Sequence, residues 1–593
     1  MRKKRKNTRE RNGDFHMVKK LLKYVKGYWI FTVLAPLTII GEVMLEVRIP
    51  MLMSDIVDTG VNGGAGLEYI FTKGLQMVIM ALASLTCGAL SARFASVAGM
   101  GFGANIRKAL FGKIQDFSFA NIDRFSTASL VTRLTTDVNT VQNTFMMVIR
   151  ICVRAPVMFC MAIICAVQFN AKLSIVFAVV VPMLIVVLAV IVSMAFPLFK
   201  QMFRRYDDLN ASVQENLIAV RVVKAFVRSE YEKKRFKKSN DALMNASVRA
   251  ERLVIINNPV MMLCVYACIV AALWFGGGFV IEGSMKTGEL MGFITYITQI
   301  MMSLMTISMI FVMIVTSKAA AARIIEVIEE IPDINDSNAD ALLEVEDGSI
   351  EMRNVCFKYN SGAEKNVLDN INLDIKSGET VGIIGGTGSA KTTLVQLIPR
   401  LYDVTQGELL VGGRNVREYK IKALRDSVAM VLQSNVLFSG TIAENLRWGD
   451  ENATQEELEK VCKIAQAHDF IESFPDGYET DLGQGGVNLS GGQKQRLCIA
   501  RALIKKPKIL ILDDSTSAVD TATDAKIREG FAANLGDVTT IIIAQRVSSI
   551  SHADKIIVLD DGKIDAIGTH EELLENNEIY REVYTSQQEG SVA

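Results

Sequence analysis

The sequence predicts an α-helical transmembrane domain of six spans with long cytoplasmic extensions, followed by an α/β domain. Three observations carry this expectation. Six apolar stretches, each near or above the ~18–20 residues that cross a bilayer as a helix, fall before residue 320. After about residue 345 the pattern changes to short apolar strands alternating with amphipathic helices and glycine turns. The chain is also 593 residues long, more than one hydrophobic core organises, since single cores stop growing near ~250–300 residues. The expected boundaries are 1–330 for the membrane domain, 331–348 (IPDINDSNADALLEVEDG) for an acidic, turn-rich surface linker, and 349–593 for the α/β domain.

The six stretches run roughly over 29–53, 74–98, 145–167, 173–199, 259–281 and 290–315. Positive charge marks their cytoplasmic side. Arg2, Lys3, Lys4, Arg5, Lys6, Arg9 and Arg11, then Lys19, Lys20, Lys23 and Lys26, precede the first span, whereas the loop after it carries Asp55, Asp58 and Glu68. The loops near Asn170 and Gly283 are short and almost uncharged, so they face outward with it. Segments 107–143 and 200–252 are long, charged and helical in pattern, and are expected in the cytoplasm with both termini. The first span is read as a retained helix, because it holds Glu42, Glu46 and Arg48 and lacks a small-residue cleavage site.

Composition removes several classes. Half the residues are hydrophobic and 22% charged, which excludes disorder as the main state. Lys+Arg and Asp+Glu balance at 64 each, so no whole-chain field points to nucleic acid, and the basic N-terminus beside a span reads as orientation and anionic-lipid contact. Nine cysteines without CxxC spacing and four histidines, His16, His468, His552 and His570, indicate neither a disulfide framework nor a metal cluster.

The most informative run is VGIIGGTGSAKTTL, residues 381–394. An apolar strand, a glycine-rich turn and a Lys-Thr pair opening a helix form a phosphate cradle: backbone N–H groups face the phosphates, Lys391 reaches the β/γ oxygens, and Thr392 can ligate Mg²⁺. The run departs from GxxxxGK[ST] at Ala390, where a methyl group stands in place of the second glycine. Downstream, ILILDD (509–514) reads as a buried strand ending in carboxylates, as expected where an aspartate meets Mg²⁺ at a parallel-sheet edge.

Between these lie Gln433 in VLQSN and LSGGQKQR from 489 to 496. With these motifs in place the chain resembles an ATP-binding cassette (ABC) transporter of the exporter type, over nearly its whole length. The resemblance implies that Tyr359 stacks on adenine. It implies that Gly385, Gly386, Thr387, Gly388, Ser389, Ala390, Lys391, Thr392 and Thr393 hold the phosphates of ATP, and that Thr392, Gln433 and Asp513 hold Mg²⁺. Ser490, Gly491, Gly492 and Gln493 form the signature that completes a partner's ATP site, and SAVD (517–520) is the D-loop. Segments 119–126 (FANIDRFS) and 210–221 (NASVQENLIAVR) resemble the two coupling helices that dock on nucleotide domains.

Two further departures concern hydrolysis. The family's catalytic base is a Glu after the Walker B aspartate, and this chain has Asp514, one methylene shorter. Its switch histidine is replaced by Gln545, which hydrogen-bonds phosphate but cannot become cationic. Asp514, Gln433 and Gln545 are thus the expected catalytic set, and with Ala390 the weakened positions all fall on the chain's own Walker side while the signature is intact. That segregation resembles the degenerate-site subunit of a heterodimeric bacterial multidrug exporter in the plasma membrane; a homodimer with two impaired sites is the alternative. The expected partners are a second half-transporter subunit, membrane lipid and a small hydrophobic or amphipathic substrate, with no nucleic acid. For the cargo path the candidates are Glu42, Glu46, Arg48, Arg150 and Arg154, ionisable groups in or near spans, and the stripe Met301, Met305, Met309, Met313. Lipid or peptide export, or a mainly regulatory nucleotide-sensing subunit, are the other functions weighed.

Overall fold

The computed structural model describes residue 17 and residues 19–592, apart from 338, 341, 361 and 516–518. The basic residues Arg2 to Arg11, His16 and Ser517 of the SAVD run lie outside the described residues. The chain divides into two compact units, Met1–Gln115 with Ala128–Glu330, and Asp116–Thr127 with Ile331–Ala593.

The first unit is all helix. Among the described residues six helical segments are long and apolar enough to cross a membrane: Trp29–Val61, Gly66–Gln115, Thr127–Phe169, Ile175–Ile218, Ser229–Ile281 and Thr287–Ile307. A helix satisfies its backbone hydrogen bonds internally, which the water-free hydrocarbon core requires. The longest, 53 residues, extends ~80 Å at 1.5 Å per residue, far beyond the ~30 Å hydrocarbon core, so its charged first half forms an extension outside the membrane. Between helices, buried hydroxyls find backbone partners: Ser91 Oγ donates to Ala35 O at 3.0 Å and Tyr296 Oη to Val47 O at 2.7 Å. Asp58 caps the helix Thr287–Glu329 by accepting from the Gly288 and Glu289 amides at 2.6 and 3.1 Å. Near the charged ends, a π-helical turn, Arg133–Asp137, places Asp137 where Arg323 grips it through Nε at 2.7 Å and Nη2 at 2.5 Å.

The second unit is α/β. Its strands are β1 Ile350–Phe357, β2 Leu368–Ile375, β3 Thr380–Gly385, β4 Gln406–Val411, β5 Arg414–Asn415, β6 Val428–Val431, β7 Gly440–Thr441, β8 Asp481–Leu482, β9 Ile509–Asp513, β10 Thr539–Ile543, β11 Lys555–Asp560 and β12 Lys563–Gly568. They form an antiparallel sheet of order β2-β1-β4-β5, a main sheet of order β12-β11-β3-β10-β9-β6, and the small pair β7-β8. The main sheet is parallel from β11 through β6, and only β12 runs against its neighbour. Every residue of β9 and β10 is buried, which is why these strands read as continuous apolar runs rather than alternating ones. One core lies between the main sheet and its helices, and a second joins the antiparallel sheet to β3 and the helix Lys391–Leu397.

Three expectations change. The segment 331–348 is not a simple surface tether: Ile334 and Val345 are buried, and Asp340 N–H donates to Glu418 O at 2.8 Å, so it is packed onto the second unit. The segment 210–221 is not a separate short helix. The long helix runs unbroken to Ile218, because nothing in 210–218 breaks it, and the separate short helix is Val220–Ala225. Third, the methionine stripe does not share one environment. Met301 is 1% exposed among Phe293, Tyr296, Ile297 and Ile300, Met305 packs on that cluster, and Met309 is 68% exposed. Met301 therefore packs helices together and lines no open surface. The segment 119–126 forms a helix as expected, Phe119–Phe125, capped by Ser118, whose hydroxyl also reaches Asp333. Within the second unit it meets Tyr402, which stacks on Phe119 and donates from Oη to Asp123 Oδ2 at 2.7 Å.

Candidate nucleotide-binding site

The site forms at the C-terminal end of the main sheet. In the ladders Ile383, Ile543 and Asp513 stand level on β3, β10 and β9. The residues that follow each strand therefore emerge side by side: the glycine loop, Gln545, and Asp514. Ligands of open α/β sheets bind at this end of the strands.

The loop geometry explains two of its glycines. A Cβ on Gly385 would lie 2.1 Å from the Leu559 carbonyl oxygen of the neighbouring strand, and Gly388 has φ +87°. Ala390 also has left-handed torsions, φ 71° and ψ 23°, just before the helix Lys391–Leu397. For an alanine this conformation costs ~1–2 kcal/mol, which is the physical content of its departure from glycine. Lys391 folds back over the loop, donating to Gly385 O and Gly386 O at 2.8 Å each. Burial pushes its ammonium below the usual lysine range, with Asp514 and Asp513 pulling the other way.

Asp513 is 1% exposed, and its Oδ1 accepts from Thr392 Oγ1 at 3.0 Å. Its other oxygen, Oδ2, is buried with no hydrogen-bond partner. An orphaned carboxylate oxygen beside a hydroxyl is the hard-oxygen donor set that Mg²⁺ takes, so these residues fit the ion. Burial raises the Asp513 pKa, opposed by the Thr392 bond and Lys391 and reinforced by Asp514. Burial likewise raises Asp514, against hydrogen bonds from Gln545 and Gln433 and the charges of Lys391 and Arg546. Two adjacent carboxylates held above their ordinary range are relieved by a bound divalent cation.

Gln545 Nε2 donates to Asp514 Oδ2 at 2.7 Å. Asp514 itself has φ 49°, so its side chain leaves the strand end at an angle that β9 alone would not give. Tyr359 is half exposed, with its hydroxyl 2.9 Å from Thr393 Oγ1 and its ring edge-on to Tyr402 and Phe357 at 5.1 and 4.9 Å. Its ring is thus a fixed platform beside the phosphate loop, suited to stacking a base.

The structure thereby links Tyr359, Lys391, Thr392, Thr393, Gln433, Asp513, Asp514 and Gln545. The signature is a separate feature. Ser490 caps the helix Gly491–Leu503 through a capping box with Gln493, their paired distances 2.8 and 3.3 Å, and the helix N-terminus at Ser490 and Gly491 is exposed. Of the cargo candidates, Arg154 Nη2 lies 2.7 Å from Glu46 and 3.4 Å from Glu42, a paired cluster between spans; Arg48 is exposed and Arg150 half-buried. Sequence reasoning missed Tyr402, whose only signal was an aromatic residue eleven positions after the phosphate lysine.

Comparison with known proteins agrees with this geometry. Residues 32–304 match the family model of the ABC transporter transmembrane region, and residues 368–517 match the ABC transporter family model. The chain is 39% identical over 576 residues to the uncharacterized ABC transporter ATP-binding protein YfiB of Bacillus subtilis (strain 168), covering 97% of this chain and all of that one. It is 31% identical over 595 residues to the "Putative multidrug export ATP-binding/permease protein YgaD" of the same strain, covering 96% and 99%. Among solved structures, a bacterial Atm1-family ABC exporter with ATP bound superposes with a TM-score of 0.79 at 26% identity, covering 96% of this chain and 98% of that one. Six membrane-type helices, a phosphate loop facing paired carboxylates, and these matches make the chain an ATP-hydrolysing transporter, a member of the ABC exporter family.

Proposed function

We propose that the chain is one subunit of a heterodimeric bacterial exporter that moves hydrophobic or amphipathic compounds from the cytoplasm or inner leaflet across the plasma membrane. In this reading its own Walker residues form a weakly hydrolysing ATP site, and its signature completes a competent site on the partner. The observation that carries it is the Gln545–Asp514 contact: the short carboxylate is engaged by a neutral amide that cannot supply a cationic proton donor. Tyr359, Lys391, Thr392 and the glycine loop retain what nucleotide binding needs, so the site holds ATP while turning it over slowly. Thr392 and Asp513, with Gln433, would hold Mg²⁺, which would supply charge neutralisation of the phosphate oxygens.

A partner is further supported by the exposed apolar side chains Leu217, Ile218, Val222, Phe226 and Val227 around the short helix Val220–Ala225, which water does not favour. The relatives named for multidrug export and the Glu42–Arg154–Glu46 cluster between spans support the cargo class. The charge asymmetry of the loops supports cytoplasmic termini and a cytoplasmic nucleotide domain. The test is phosphate release by the purified chain alone and with its partner subunit, in lipid vesicles. Slow turnover alone and substrate-stimulated turnover together are expected; brisk turnover by the chain alone refutes the degenerate site.

A further inference from the structure

The C-terminal helix Glu578–Val592 contains one contact that the sequence motifs do not account for. The side-chain amide of Gln587 bridges two backbone groups on either side of Arg546. Its Oε1 accepts from Val547 N–H at 2.9 Å, and its Nε2 donates to Gln545 O at 2.7 Å. An amide placed this way copies the donor and acceptor of a neighbouring strand, so it fixes the main chain where β10 has ended and no ladder continues.

The clamp is mounted on a rigid support. Tyr580 of the same helix is fully buried, its hydroxyl 2.7 Å from His570 Nδ1, and Ile579, Val583 and Tyr584 pack on the main-sheet core. The residues just beyond are also held from another side. Ser549 Oγ donates to Asp524 Oδ2 at 3.2 Å, and Arg528 Nη1 donates to Ser548 O at 3.1 Å, both from the helix Thr521–Asn534. With Val547 and Ser549 themselves buried, residues 547–549 are fixed, and Gln587 extends that rigidity back by two residues to Gln545.

We propose that Gln587 is a positioning residue for the ATP site: it holds the Gln545 main chain so that the Gln545 side chain stays on Asp514, and the C-terminal helix thereby sets the hydrolysis rate without touching nucleotide. Removing either bond frees the loop, and the 2.7 Å contact between Gln545 and Asp514 is then no longer enforced. A displacement of about half an ångström at such a site lowers turnover by roughly tenfold, given ~100-fold for 1 Å. This inference rests on the reading of Gln545 as the residue that faces the terminal phosphate.

The experiment uses the exporter reconstituted with its partner subunit, the partner's Walker B carboxylate neutralised so that only this chain's site hydrolyses ATP. Gln587→Met keeps length and helix propensity but removes both hydrogen bonds. It is expected to lower kcat by about tenfold while KM for ATP moves less than about twofold, and to speed hydrogen exchange at the Val547 amide. Gln587→Glu keeps the acceptor for Val547 and is expected to fall between. Wild-type kcat in Gln587→Met, in a protein where Gln545→Ala does lower kcat, would overturn the proposal. So would an equal loss in both Gln587 variants accompanied by a lower melting temperature, the pattern of damaged packing. If Gln545→Ala leaves kcat unchanged, the reading of Gln545 fails and the rate effect of Gln587 fails with it, while exchange at Val547 reports separately whether the amide holds the loop.

Discussion

Lengthening one side chain tests the assignment of the weak site directly. Asp514→Glu adds one C–C bond, ~1.5 Å, and advances the carboxylate by roughly 1.3 Å toward the space beyond the strand end. A base that falls short by this distance costs ~100-fold in a position-sensitive reaction, equivalent to ~2.7 kcal/mol of barrier at ~1.36 kcal/mol per tenfold. The structure reduces the expected gain. Asp514 Oδ2 already lies 2.7 Å from Gln545 Nε2, so the longer side chain must push that amide aside. We therefore expect Asp514→Glu to raise hydrolysis at this chain's site by about 10-fold, with the full ~100-fold reached only when Gln545→His is added. The assay is release of labelled phosphate by the reconstituted dimer with its other site disabled. Binding of a fluorescent ATP analogue, measured alongside, separates rate from affinity. A double variant that binds nucleotide but hydrolyses no faster than the wild type would refute the argument that reach and protonation state limit this site.

Gly385→Ala would place a Cβ 2.1 Å from the Leu559 carbonyl oxygen and force β3 away from β11, so ATP affinity is expected to fall by at least tenfold, ~1.4 kcal/mol, in a nucleotide-binding titration; wild-type affinity would show that the strands yield freely. Asp137→Ala removes a carboxylate that is 3% exposed from the two-pronged grip of Arg323; because Arg323 is half exposed and can rehydrate, the expected cost is about 2 kcal/mol rather than the ~3–5 of a fully buried pair, read as a lower melting temperature in detergent. His552 keeps solvent contact, but partial desolvation and then the Arg528 charge hold it below its usual pKa, with Asp524 and Asp554 opposing. The fold therefore favours the neutral ring, whose Nδ1 accepts from Arg528 at 3.4 Å. The sign follows: stability is full above the ordinary histidine value near 6.5 and declines as pH falls below it, because only the unfolded ring protonates freely. Melting temperatures between pH 8 and 5 are expected to fall less in His552→Gln than in the wild type, and identical profiles would exclude this ring as the cause.

How much of the site could be read in advance depended on how local its chemistry is. The phosphate loop was legible because a glycine turn, a lysine and a hydroxyl are consecutive in sequence, and the strand and helix around them are set by the same short window. Asp513 was legible because a buried strand that ends in a carboxylate is unusual at any surface. The Gln545–Asp514 contact was not, since it joins positions 31 residues apart whose meeting depends on β10 lying beside β9 in the sheet. Tyr402 and Gln587 left almost no signal, because an isolated polar or aromatic residue has no pattern until its partners are placed. The bounds of 210–221 came from a family resemblance that carries no helix ends, and helix continuation through Ile218 is decided by the absence of a breaker rather than by any positive mark.

The sequence by itself determined the two solvents this chain lives in. Six apolar runs and one strand-helix alternation dictate a membrane half and an α/β half, because hydrophobic transfer and backbone hydrogen bonding act on contiguous stretches. It also determined the identity of the phosphate-binding chemistry. The tertiary structure alone decided which side chains face one another. It turned 331–348 from a tether into packed chain, assigned Met301 to the helix core, left one oxygen of Asp513 without a partner, and brought a glutamine from the last helix onto the backbone of the ATP site. Such outcomes follow from sheet order and helix packing, which sum many weak contacts between distant positions and so leave no short motif to read.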